Sequence, residues 1–367
     1  ITRAYPNEAL RLLGIAKVAW SKVGVEHPEE HIAVLHSWVP PNLYPLANVI
    51  VKRSAFTAQD IARLNRIAAD IGFGVAYEPA GGENEEFKAF ASAADPYEYA
   101  RNYPIDISPT TDDSPFFFNR VRIRDILFGN PDKRFESIAD KATSALLRLL
   151  ALVTVLAATF VIGPLFFRRR LPVSARRGAP FLFYFSCLGL AFILVELPMI
   201  QRFMLFLGHP LYALSVILFT ILIFSGLGSL STQRVPAGRE GQALRRTFPL
   251  LVVVLLASIV FLPPLFRTFV GEPTPIKVVA SMILLAPLGF LMGQPFPLGL
   301  RILHRRATEL TPWAWGVNGA ASVLASVGSI VLAIGFGYSI ALATGLAFYA
   351  LAWTTSIVSG NFVDSAE

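Results

Sequence analysis

Cysteine is almost absent from this chain of 367 residues: Cys187 stands alone, inside an apolar run. An internal disulfide is therefore excluded, and a buried lone cysteine behaves as a small hydrophobe. Residues 1–140 also lack any Gly-x-Gly-x-x-Gly loop. The pair Gly72 and Gly74 lies inside a strand-like run and opens no helix, so it lacks the context of a dinucleotide or nucleoside cradle. Histidine is scarce. His27, His31 and His36 are close in sequence but have no cysteine or carboxylate at metal spacing, so no metal site and no cofactor is expected.

Acidic residues thin out along the chain. Residues 1–140 hold 15 Lys+Arg and 19 Asp+Glu, a net of −4, whereas residues 141–367 hold 17 and 6, a net of +11. The basic balance thus belongs to the apolar part, where it flanks long hydrophobic runs. It is membrane-flanking charge, and no nucleic-acid partner is expected.

What the chain has in abundance is apolar sequence: 54% hydrophobic residues and a mean hydropathy of +0.55. From Ala145 onward, runs of roughly 20 apolar residues recur, the length a helix needs to cross a bilayer. Seven spans are expected, at about 146–167, 180–201, 210–231, 248–267, 277–300, 312–335 and 338–359, with Gly337 as a tight turn between the last two. Pro198, Pro263, Pro264, Pro287, Pro295 and Pro297 should kink these helices or mark their ends.

The loops set an orientation. After the odd spans come Arg168, Arg169, Arg170, Arg176 and Arg177, then Arg234, Arg239, Arg245 and Arg246, then Arg301, Arg305 and Arg306. The alternate loops offer only Arg202, Arg267 and Lys277. The positive-inside rule then puts the odd loops and the C-terminus in the cytoplasm and residues 1–140 outside, in the periplasm of a bacterium. The expected location is the bacterial inner membrane, with lipids and other membrane subunits as partners.

Residues 1–140 read as a soluble α/β segment. Glu8–Val23 has helical apolar spacing (Leu10, Leu13, Ile15, Val18, Trp20). His31–Trp38, Ala47–Lys52 and Gly72–Tyr77 read as strands, with Pro40, Pro41 and Asn42 marking a turn. Thr57, followed by Asp60, is a helix N-cap. This order suits one end of a doubly wound sheet. Ala80–Asn84 should be an exposed loop, and Ile123–Ile138 an amphipathic lead into the bilayer. The chain opens at Ile1 with no signal-peptide pattern, so the expectation is either that the true N-terminus has been removed or that further residues lie upstream.

Three places could carry chemistry. In Pro109–Phe118, Asp112 and Asp113 could act as a base or hold a cation; the plainer reading is a polar turn followed by membrane-surface phenylalanines. Glu196 is the one acid expected inside a span, by default a functional candidate, with a helix-end ion pair to Arg202 as the plainer reading. The sixth span opens with Trp313 and Trp315, suited to an interfacial belt. Asn318 should bond a neighbouring helix, and Gly319, Ser322, Ser326 and Ser329 form a small-residue face for close packing.

Several strings resemble a known family. They are Asp106-Ile107-Ser108-Pro109-Thr110-Thr111-Asp112-Asp113-Ser114-Pro115-Phe116-Phe117-Phe118, Glu196-Leu197-Pro198-Met199-Ile200-Gln201-Arg202-Phe203 and Leu207-Gly208-His209-Pro210. To these are added Phe224-Ser225-Gly226-Leu227-Gly228-Ser229, Met292-Gly293-Gln294-Pro295-Phe296-Pro297-Leu298-Gly299 and Pro312-Trp313-Ala314-Trp315-Gly316-Val317-Asn318-Gly319.

On them the chain resembles the C-terminal portion of integral-membrane spermidine synthase-like proteins of bacteria. These join a Rossmann-type aminopropyltransferase or methyltransferase-like domain to membrane helices. The resemblance implies a multi-pass α-helical membrane protein of about seven helices (141–367) behind a partial Rossmann-like α/β domain (1–140). It places the donor-binding loop and ribose-binding acid upstream of Ile1, so no catalytic residue carries over. The expected role is a non-catalytic accessory or scaffolding subunit of a larger membrane complex, respiratory or photosynthetic. A membrane-bound aminopropyl- or methyltransferase completed by upstream residues is the alternative. A transporter is the third reading, with only Glu196 and Arg202 to line a path.

Overall fold

The computed structural model describes residues 5–37, 45–128, 138–163, 174–358 and 362. The Pro40-Pro41-Asn42 turn and the arginine-rich loop holding Arg168, Arg169 and Arg170 lie outside the described residues, as do the side chains of Arg176 and Arg177. Two compact units emerge. The first comprises residues 1–111 and 115–144, and the second residues 145–367 together with Asp112–Ser114.

In the first unit, helix α1 (Asn7–Lys22) precedes strands β1 (Ile32–Ser37) and β2 (Ala47–Val51), helix α2 (Ala58–Asp70) and strand β3 (Phe73–Tyr77). Short helices α3 (Glu85–Ser92), α4 (Pro96–Asn102) and α5 (Ile123–Phe128) follow. β1 lies in the middle of the sheet, in the order β2-β1-β3, and all six of its residues are buried. Its residues alternate between two cores because successive side chains point to opposite faces. Ile32 and Val34 join Leu10, Leu13, Phe87 and Phe90 on one face, and Ala33 and Leu35 join Leu64 and Ala68 of α2 on the other.

Both ladders are antiparallel, pairing Val34 with Val49 and with Tyr77. A doubly wound sheet would have parallel ladders. The β1–β2 connection, residues 38–46, is shorter than the dozen or so residues that a parallel crossover needs. Since β2 and β3 each oppose β1, they run parallel to each other and α2 crosses between them, a split β-α-β unit. The helix starts where Thr57 predicts. Its hydroxyl accepts from Asp60 N–H at 3.2 Å, and Asp60 Oδ2 accepts from Thr57 N–H at 2.9 Å.

Residues 106–120 carry little regular structure, and one buried cation gathers the two sides of the loop. Arg11, 2% exposed, donates to the carbonyls of Asp106, Phe116, Phe117 and Asn119. Burial pulls its pKa down and Asp106 pulls it back up. The same loop is closed at its base by Asp106 N–H donating to Arg120 O at 2.8 Å.

The second unit is helical. α6 (Ile138–Ala157) ends in a π-turn, and α7 (Ser174–Leu207), α8 (Pro210–Ser231), α9 (Glu240–Phe269), α10 (Thr274–Met292), α11 (Pro295–Arg306), α12 (Thr311–Phe336) and α13 (Tyr338–Val358) follow. Seven segments among the described residues are long and apolar enough to cross a membrane: Lys141–Phe160, Gly178–Leu207, Pro210–Arg234, Glu240–Phe269, Thr274–Arg306, Thr308–Phe336 and Tyr338–Val358. They match the seven expected spans, most reaching a few residues further. α7 is the central helix: 56% of its apolar stretch is buried, against 6% for the first span. Pro198, Pro263, Pro264 and Pro287 lie within continuous helices, whereas Pro295 starts a new one after a break at Gly293 and Gln294. Of the expected amphipathic lead into the first span, α5 covers Ile123–Phe128, and residues 129–137 lie outside the described residues.

Replacing Arg11 with methionine should leave four half-buried carbonyls without this donor, at a cost of about 3 kcal/mol. Hydrogen exchange is expected to accelerate at Asp106, Phe117 and Asn119 while the β1 amides stay protected. Unchanged protection across 106–119 would show that the loop holds itself.

Candidate functional site

The short turn between α12 and α13 leaves the first amides of α13 in need of acceptors. Asp113 supplies them from far away in sequence. Its carbonyl accepts Tyr338 N–H at 2.9 Å, and its Oδ1 accepts Ser339 N–H at 2.9 Å and the Ser339 hydroxyl at 2.7 Å. A carboxylate at a helix N-terminus satisfies orphan amides and complements the helix dipole. Arg202, in the last turns of α7, donates through Nη2 to Ser339 Oγ at 2.7 Å and to Asp113 Oδ1 at 3.3 Å. Its side chain is 10% exposed and that of Asp113 39%, so the pair sits at a half-wet edge. Gly337 makes the geometry possible. Its φ is +87°, and a Cβ there would lie 2.4 Å from Asp113 Oδ2.

Asp112 is exposed next to this clamp. It lines a cleft of about 410 Å3 with Asp113, Arg202, Ser339 and Arg267, walled by Phe206, Leu262 and Phe266. Of the two aspartates, the second is therefore a helix cap in trans, a role that neither a local turn nor a proton acceptor describes.

Glu196 does not meet Arg202. Six residues of helix turn the chain by about 600°, leaving the two side chains roughly 120° apart. Arg202 goes to Asp113 instead, and Glu196 is buried within α7, 8% exposed. The expected helix-end ion pair is thus formed with a different acid.

Asn318 does bond a neighbouring helix: its Nδ2 donates to Phe185 O of α7 at 3.0 Å, and Ser322 Oγ reaches Gly189 O at 3.3 Å. Gly189 answers from α7, where a Cβ would lie 2.3 Å from Asn318 O. Gly319 does not share this seam. A Cβ on it meets nothing within 4 Å, so the face expected to be packed is open there. The seam runs through Ala314, Val317, Asn318, Ala321 and Ala325, offset around the helix from Gly319.

The other family-like strings also build contacts between helices. A Cβ on Gly228 would lie 2.0 Å from Phe290 O, and one on Gly293 2.0 Å from Ser225 O, so the backbones of α8 and α10 touch directly. At the α10–α11 break, Thr247 donates to Gln294 Oε1 at 2.6 Å and Tyr184 to Pro295 O at 2.8 Å. At the other end of the bundle, Glu240 is fully buried and receives Arg305 through two hydrogen bonds of 2.6 and 2.5 Å and Arg301 at 3.0 Å.

Among the described residues no three His, Cys, Asp or Glu side chains are grouped to hold a metal. His27 pairs with Glu29, His31 bonds Lys52 O, and His36 stacks on Tyr5. Compared with known protein families, characterised proteins and solved structures, the chain finds no match.

Sequence reasoning missed Ser339 and the pairing of Arg202 with Asp113. The available signal was Gly337-Tyr338-Ser339, a turn glycine and a hydroxyl opening a helix that has no local acid to cap it.

Asp113→Ala should lower stability in detergent by about 2 kcal/mol through loss of cap and ion pair. Asp113→Asn retains a cap and should fall between variant and parent. Gly337→Ala, strained and clashing with the carboxylate, should be no better than Asp113→Ala. Parent-like unfolding of Asp113→Ala would remove the clamp from the account.

Proposed function

We propose that this chain is a non-catalytic accessory or scaffolding subunit of a larger membrane complex, of the respiratory or photosynthetic kind, built on a spermidine synthase-like framework. One observation carries the reading: the side chains of the most distinctive strings are engaged with other helices. Asp113, Arg202, Asn318, Gln294, Gly228 and Gly293 all bind or approach another segment of the same unit. Residues used this way hold shape.

The reading of the first unit as one end of a Rossmann-like sheet rests on the resemblance of the sequence, because its antiparallel ladders and split β-α-β unit differ from the parallel ladders of a doubly wound sheet. The bias of twelve arginines against three basic residues supports an inner-membrane location, with the first unit periplasmic and the C-terminus cytoplasmic. A cysteine placed at Gly82 should then react with a membrane-impermeant maleimide in intact cells, and one at Gly238 only after lysis. The reverse pattern would put the first unit in the cytoplasm and favour the transferase reading.

The transferase reading makes a different demand, a nucleoside cradle. Calorimetry of the chain with S-adenosylmethionine and with its decarboxylated form is expected to give no heat of binding at micromolar concentrations. Micromolar affinity would refute the non-catalytic role. Gentle purification should bring other membrane subunits along with the chain.

A further inference from the structure

The arginine-poor loops between spans carry three basic residues at or near them, Arg202, Arg267 and Lys277, and these belong to three different helices. The fold gathers them around one pair of rings. Phe206 and Phe266 stack with centroids 4.5 Å apart, and Lys277 Nζ lies 5.9 Å from the Phe206 centroid. Both rings line the 410 Å3 cleft that holds Arg202, Arg267, Asp112 and Asp113. Both also line a second groove of about 610 Å3 whose walls are wholly apolar, including Phe269, Ile276, Val279 and Ile283. A charged cleft and an apolar groove therefore share a wall.

The charges in that cleft are incompletely matched within the chain. Asp113 is taken by Ser339 and by Nη2 of Arg202, while Nη1 of Arg202 is buried without a hydrogen-bond partner. Arg267 and Asp112 are exposed, and neither forms an ion pair among the described residues. Basic residues are disfavoured on this side of a bilayer, so Arg202 and Arg267 lining one cleft, with Lys277 beside its Phe206 wall, call for an anion. A small anion would satisfy the cleft but leave the adjoining groove empty. A ligand with an anionic head and a long apolar tail matches both.

We propose that cleft and groove form one binding site for a phospholipid with a zwitterionic head. The phosphate lies between Arg267 and Lys277, the head-group ammonium lies against Asp112, and an acyl chain runs along Phe269, Val279 and Ile283. The cations provide charge-assisted hydrogen bonds to phosphate oxygens, and Asp112 provides the counter-charge that selects a zwitterion. The site does not depend on the scaffolding role, since it is argued from these side chains alone.

The test is native mass spectrometry of the full chain released from detergent. Dioleoyl phosphatidylethanolamine is compared with dioleoylglycerol, which has the same chains and no phosphate. The phospholipid should bind about tenfold more tightly, a difference of about 1.4 kcal/mol. Arg267→Gln with Lys277→Gln should bring it down to the diacylglycerol level. Ile283→Trp, a change at a side chain 67% exposed, should weaken both lipids by filling the groove. Because these changes lie at exposed or half-buried positions, unchanged circular dichroism is expected of every variant. Equal binding of the two lipids, or full phospholipid binding by the double variant, would overturn the proposal. So would competition by excess inorganic phosphate together with indifference to Ile283→Trp, which would reveal a small-anion site.

Discussion

One carboxylate organises one end of the helical unit. Asp113 caps the last helix from outside it and meets Arg202 at the end of the central helix, so α7 and α13 are tied through Ser339. Several features of the sequence follow from this contact. The turn between α12 and α13 contains a glycine because the backbone takes a positive φ and the carboxylate occupies the space of a Cβ. The residue after Tyr338 is a serine because its hydroxyl accepts from the guanidinium while donating to the carboxylate, a short relay in which each bond polarises the next.

The remainder of the bundle is held by contact rather than by charge. Lipid tails are as apolar as leucine, so helices in a bilayer gain little by hiding apolar side chains from them, and close backbone approach takes over. Gly189 against Asn318, Gly228 against Phe290 and Gly293 against Ser225 are such approaches. At the far end, the buried Glu240 gathers Arg301 and Arg305, so two arginines of the basic loops also have a structural task. Ion pairs at the ends and glycine contacts between them hold the helices together.

The spans and their number were legible because a bilayer imposes a length that no soluble helix must obey, and the split turn at Gly337 was visible in the same way. The Thr57 cap and the three strands were legible because they are local. The ladder direction was recoverable in principle from the short β1–β2 connection, but strand order and composition alone suggested a doubly wound sheet. What failed was anything that needed a partner distant in sequence. Arg202 and Glu196 are neighbours in the chain and not on the helix surface, while the true partner of Arg202 lies 89 residues earlier. Gly319 has the spacing of a packing residue, yet the seam follows Asn318 and Ala321, because α7 approaches that side of the helix.

The central claim is that Asp113, Ser339 and Arg202 act as one unit. A double-mutant cycle on unfolding in detergent, combining Asp113→Ala with Arg202→Met, measures it directly. The account predicts a coupling of about 1 kcal/mol or more, because either change alone already breaks the shared contact. Effects that add within roughly 0.3–0.5 kcal/mol would mean that the two residues act independently and would contradict it.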